Sequence, residues 1–183
     1  MLNTFVVYVE DKPGVLARVA ILFRRRAFNI ETLTVGRTEV PGISRMTIVV
    51  DTDEHGARRI EANLYKLVNV LRIQNITDSY VSRDMALIKL AVSPETEARV
   101  RETAGKHGAH VVETGPDSVI LEFTGTKEEI DSFVEIVRPY RILEMVCTGH
   151  VAMAGCTPPA SESEMPSFKD PAKSTAQDIS RSI

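Results

Sequence analysis

One order of apolar patterns runs twice along these 183 residues, and few folds satisfy it. In the first pass, Thr4 to Val9 predicts a strand. Val15, Leu16, Val19, Leu22 and Phe23 then recur at helical spacing between Gly14 and about Phe28, and Ile30 to Thr38 returns to β character. Glu39-Val40-Pro41-Gly42 is turn chemistry. Ile43 to Asp51 follows with Met46, Ile48 and Val50 on one face, which makes a hairpin. Asp53 caps a second helix with Ile60, Leu64, Leu67 and Val68 turned inward, and Val70 to Ile76 supplies the fourth strand.

The second pass starts at Met85 to Val92. Ser93-Pro94-Glu95 opens a helix to about Lys106, with proline where a missing N–H costs nothing. Gly108 to Glu113 and Ser118 to Phe123, joined by Thr114-Gly115-Pro116-Asp117, form a second hairpin. Thr126-Lys127-Glu128-Glu129 reads as a capping box opening a helix with Ile130, Phe133, Val134 and Val137 buried. Pro139 ends that helix, and Ile142 to Cys147 is the last strand. The fold class is therefore α+β. Two βαββαβ units, each a ferredoxin-like layer of helices on an antiparallel sheet, span residues 1–78 and 84–155, with a linker at 79–83. From 156 to 183 the chain carries almost nothing apolar to bury and is expected to be a disordered tail, a solvated extension rather than a segment that folds on a partner through Met165, Phe168 and Ile179.

Composition excludes several classes. A net charge of −3 gives no general attraction to nucleic acid, and no helix-turn-helix or basic reading surface is evident. No apolar run approaches the roughly 20 residues of a membrane span. No basic segment precedes the first β run, so a cytoplasmic protein is expected. Cys147 and Cys156 are too few and too far apart for a disulfide framework or a zinc ribbon, and read as reduced bystanders.

The stretch with chemistry in it is Glu10-Asp11-Lys12-Pro13-Gly14-Val15-Leu16. Pro13 suits a first helical turn, Gly14 lets a ligand approach the backbone, and a helix opening this way leaves N–H groups bare for a carboxylate. Asp11, just outside, offers an oxygen to an ammonium group. A free amino acid carries both charges. The same pattern is also ordinary turn chemistry. Elsewhere, Arg24-Arg25-Arg26 reads as a solvated helix end that complements the dipole. His107 and His110 lack the further ligands a metal requires, and His55 and His150 read as surface residues. There is no phosphate loop, nucleophile elbow or metalloprotease helix, so a small enzyme on this scaffold lacks a converging nucleophile, base and orienting group.

These residues resemble a known family. Glu10 to Val19, EDKPGVLARV, is similar to the opening of an ACT domain. Asn29 to Val35, Ser44 to Ile48 and Tyr65 to Leu71 resemble the regulatory small subunit of acetolactate synthase, closely over residues 2–77. The likeness continues more loosely through Leu121 to Thr126 and Ile130 to Phe133, into that family's C-terminal domain.

The resemblance implies a non-catalytic homodimer that binds no cofactor itself. It would activate a large catalytic subunit carrying thiamine diphosphate, FAD and magnesium, and confer feedback inhibition by a branched-chain amino acid, usually valine. It places effector contacts on Asp11, Gly14, Val15 and Leu16 in one loop and on Asn29 and Ile30 at another. Asp11 is a departure, since the family often has asparagine there. The alternative is a free-standing amino-acid-sensing ACT protein acting on transcription.

Overall fold

The computed structural model describes residues 1–156, so the tail beyond Cys156 lies outside the described residues. The chain divides into two compact units, one comprising residues 1–81 with the described residues from Ala152, the other residues 82–151.

In the first unit β1 (Leu2–Glu10), α1 (Val15–Arg25), β2 (Ile30–Arg37), β3 (Ile43–Asp51), α2 (Glu54–Leu64) and β4 (Val70–Asn75) follow in the expected order. The sheet is antiparallel with strand order β2-β3-β1-β4. The register sets Phe5 opposite Ile48 and Val7 opposite Met46. Those side chains therefore share one face, and they pack with Val9 and Val50 against Val19 and Phe23 of α1 and Ile60 and Leu64 of α2. Alternation on the strands meeting a 3.6-residue stripe on the helices is what produces this two-layer core. The β2–β3 turn is type II: Ile43 N–H reaches Val40 C=O at 3.2 Å, Pro41 takes the second position and Gly42 the third at φ +81°.

The second unit repeats the plan. β5 (Tyr80–Ala91), α3 (Pro94–Lys106), β6 (His110–Thr114), β7 (Ser118–Gly125), α4 (Lys127–Val137) and β8 (Ile142–Cys147) form a sheet of order β6-β7-β5-β8. Its own core holds Ile88, Leu90, Val100, Leu121, Phe133 and Val137. The two capping readings hold: the Asp53 carboxylate accepts from Gly56 N–H at 2.7 Å, and Thr126 and Glu129 exchange the two hydrogen bonds of a capping box.

Four details differ from the sequence reading. Residues 80–83, expected as linker, already belong to β5. A further strand, β9 (Val151–Ala154), pairs with β5; Ala152 packs on Val6 and Ile76 of the first unit, and its carbonyl accepts from Arg45. Val68 is 82% exposed rather than inward, because α2 stops at Leu64 and the helical period no longer applies. His150 is largely buried, its Nδ1 2.8 Å from the Asp84 carboxylate, a partner too distant in sequence to be read from spacing.

Helices α1 and α3 end alike. In each, the residue after the last turn is left-handed and the Schellman pair of hydrogen bonds forms: Ala27 N–H to Arg24 C=O and Phe28 N–H to Phe23 C=O, matched by Gly108 to Gly105 and Ala109 to Ala104. The second unit uses Gly108 at φ +76°, whereas the first uses Ala27 at φ +56°. A Cβ in this conformation costs about 1–2 kcal/mol, partly offset by glycine's extra freedom when unfolded. Ala27→Gly is expected to raise stability by roughly 0.5–1 kcal/mol, seen as a higher urea midpoint at unchanged slope. A lower midpoint would show that the alanine is unstrained.

Candidate functional site

The β1–α1 loop is tied down on both sides. Glu10 N–H donates to the Asn69 carbonyl at 2.9 Å, and Asn69 Nδ2 returns a bond to the Glu10 carboxylate at 2.5 Å. Arg18 of α1 donates to the same Asn69 side chain. Lys12 Nζ lies 3.2 Å from Glu10, and these contacts, Asn69 foremost, hold the Glu10 carboxyl below the usual range. Asp11 N–H reaches the Gly42 carbonyl at 2.8 Å, so the β2–β3 turn braces the loop. Asn69, Gly42 and Arg37 were not singled out as site residues from sequence, since long-range hydrogen bonds leave no periodic trace. An asparagine between a helix end and a strand was the one available hint.

The loop delivers a helix terminus that no side chain caps. Gly14 is left-handed at φ +83°, which an α-helix cannot contain, so α1 starts at Val15 and Pro13 lies in the turn before it rather than in the first helical turn. Gly14 contributes no side-chain cap, and the first turn holds no acidic residue. The N–H groups of Leu16 and Ala17 donate to nothing among the described residues. A Cβ built on Gly14 would meet nothing within 4 Å, so the space in front of the terminus is open. Positive partial charge, bare donors and open space together suit a carboxylate. The Asp11 carboxylate stands at this end with Arg37 Nε 3.8 Å away, a loose pair since Arg37 is 90% exposed.

The corresponding turn of the second unit is closed by its own residues. Ser93 N–H donates to Thr96 Oγ1 at 2.8 Å, and Glu95 and Glu97 sit in the first turn of α3. Two carboxylates there compensate the dipole internally and would repel an incoming one. One chain thus carries two similar strand-to-helix turns, and only the first is left open to an anion.

The six residues expected to contact an effector do not converge within one chain. Asp11, Gly14, Val15 and Leu16 cluster at the N-terminus of α1. Val15 is buried in the core, leaving its backbone for any ligand, while Leu16 is 43% exposed. Asn29 and Ile30 follow the other end of α1, whose 11 residues rise roughly 16 Å. Asn29 is exposed, its Nδ2 2.9 Å from Glu31, and Ile30 packs its side chain against the core. Among the described residues no cluster of His, Cys, Asp or Glu is arranged to hold a metal ion, no helix is long and apolar enough to cross a membrane, and Cys147 and Cys156 are free and exposed.

This βαββαβ architecture is that of ACT-type regulatory domains, and residues 5–72 match the family model described as the AHAS small subunit-like ACT domain. Residues 83–155 match the model described as the small subunit of acetolactate synthase. The chain is 44% identical over 153 residues to a probable acetolactate synthase small subunit of Archaeoglobus fulgidus, covering 84% of this chain and 96% of that one. It is 42% identical over 153 residues to the acetolactate synthase small subunit of Mycolicibacterium smegmatis, covering 83% and 90%. Among solved structures, the crystal structure of the acetolactate synthase small subunit from Thermotoga maritima superposes with a TM-score of 0.80 at 32% identity, covering 86% of this chain and 99% of that one. The chain belongs to the family of small regulatory subunits of acetolactate synthase.

Proposed function

We propose that this chain associates with a large catalytic subunit of acetolactate synthase, raises its activity, and makes it sensitive to a branched-chain amino acid, valine first among the candidates. The catalytic chemistry, with thiamine diphosphate, FAD and magnesium, would reside on the large subunit in the cytoplasm. One observation carries the effector site: α1 opens with bare N–H groups and no acid in its first turn, whereas α3 carries Glu95 and Glu97 there. A carboxylate at that terminus leaves the ammonium group for Asp11 and the side chain for Leu16.

If both groups of contacts belong to one pocket, as the family resemblance implies, helix length calls for a dimer. One amino acid cannot touch Gly14 and Asn29 of the same chain across a whole helix. Two copies related by a two-fold axis bring the Gly14 end of one beside the Asn29 end of the other, giving two equivalent pockets. Two features support this. β2 is an edge strand of its sheet, and the flank of α1 carrying Leu16 and Ala20 is apolar and exposed. An effector clamped across the interface favours one arrangement of the dimer, and about 1–3 kcal/mol of such bias changes a partner's activity several-fold or more.

Reconstitution tests the reading. The chain added to purified large subunit is expected to raise pyruvate turnover and render it inhibitable by valine, and to turn over no pyruvate alone. Turnover by the chain free of the large subunit, or no change on mixing, contradicts it.

A further inference from the structure

A groove of about 410 Å³ runs between α1 and α2 of the first unit. Its apolar floor includes Ile21, 40% exposed, and Leu67; Arg18, Arg25, Arg26 and Lys66 stand around it, and no carboxylate lines it. Arg25, Arg26 and Lys66 form no ion pair among the described residues. In a chain of net charge −3 this concentrates unneutralised cations beside exposed apolar surface. The groove lies on the α2 side of α1, away from the Leu16–Ala20 flank assigned above to the dimer.

We infer that this groove docks an acidic segment of the catalytic polypeptide, with apolar side chains on the Ile21–Leu67 floor and carboxylates on the flanking cations; this rests on the activator role proposed above. Charge and exposure decide the kind of occupant. Arg25, Arg26 and Lys66 are all exposed, so a single small anion would stay largely in water and gain little. A protein segment covers the floor as it pairs the charges, removing water from both.

The test compares Arg25→Glu with Lys66→Glu as a double variant against Arg99→Glu, a control at an exposed arginine of α3 that lines neither the groove nor the proposed dimer flank. Affinity for the catalytic polypeptide is measured at low and high salt with the full chain, and valine binding to the small subunit alone is measured in parallel. The double variant is expected to bind the partner at least roughly tenfold more weakly and with a shallower salt dependence, while the control and valine binding stay within about twofold of wild type. Wild-type affinity in the double variant overturns the proposal, as does an equal loss in the control, which would indicate a diffuse field. Inorganic phosphate that shifts the Ile21 and Leu67 methyl resonances without weakening the partner would assign the groove to a small anion instead. If the wild-type chain does not engage the catalytic polypeptide, the activator reading falls first and takes the groove with it; if it does and the double variant matches it, the groove alone is refuted.

Discussion

Ala17→Glu is expected to leave the protein slightly more stable and yet nearly insensitive to valine. Ala17 is exposed and third in the helix after the Gly14 cap, the position that Glu129 holds after Thr126 in α4. There the Glu129 carboxylate takes the Thr126 N–H at 2.7 Å. A glutamate at position 17 lies in the first turn and complements the dipole, for about 0.3–1 kcal/mol, although the left-handed Gly14 does not present its N–H as the extended Thr126 does. The same carboxylate would occupy the space proposed for the effector's carboxylate. Two like charges about 4 Å apart at an effective dielectric near 20 repel by about 4 kcal/mol, so affinity should fall roughly a hundredfold or more. Ala17→Gln keeps the shape without the charge and should lose far less. Urea unfolding and calorimetry with valine read the two effects separately; an Ala17→Glu protein that binds valine like wild type would remove the carboxylate from this terminus.

Stability and binding are expected to move in opposite directions because a bare helix end is a local sacrifice. Asp53 and Thr126 show that this chain caps helices where nothing else must bind. At α1 it places glycine before an uncharged first turn, and the surrounding bonds from Asn69 and Gly42 hold the loop that α1 itself does not secure.

How much of this was legible in sequence divides along the range of the interactions. Strand alternation, helical stripes, the Asp53 and Thr126 caps and the Pro41-Gly42 turn are set within a few residues of each other, and they correctly implied two βαββαβ units. Long-range bonds were not legible. β9 has only four residues and is defined by its pairing with β5, Asn69 is identified as a hub only once Glu10 and Arg18 are beside it, and His150 needs Asp84. Val68 faces solvent because the helical period does not extend past the end of α2 at Leu64. At the site, Pro13-Gly14 announced the open terminus in sequence, although only the left-handed φ of Gly14 shows where the helix begins. The separation of Gly14 from Asn29 follows from counting residues. A pocket shared between two chains, as proposed here, would leave no trace in the local pattern of one.

The second large effect addresses that closure. Gly14→Asp places a carboxylate in front of the helix terminus, and Asn29→Ala removes the polar group beyond the other end of α1. Each homodimer then carries a defect in both shared pockets and should lose valine binding while still activating the catalytic subunit. Gly14→Asn, which tolerates the left-handed backbone and adds no charge, separates repulsion from strain. A heterodimer of the Gly14→Asp and Asn29→Ala chains differs from both parents: one pocket receives both defects and the other receives neither. Calorimetry of that heterodimer, isolated through two different affinity tags, is the most direct measurement of a pocket shared between chains. It is expected to show one valine site per dimer with wild-type affinity, half the wild-type number. No restored site would mean that each pocket lies within a single chain, and would contradict the account.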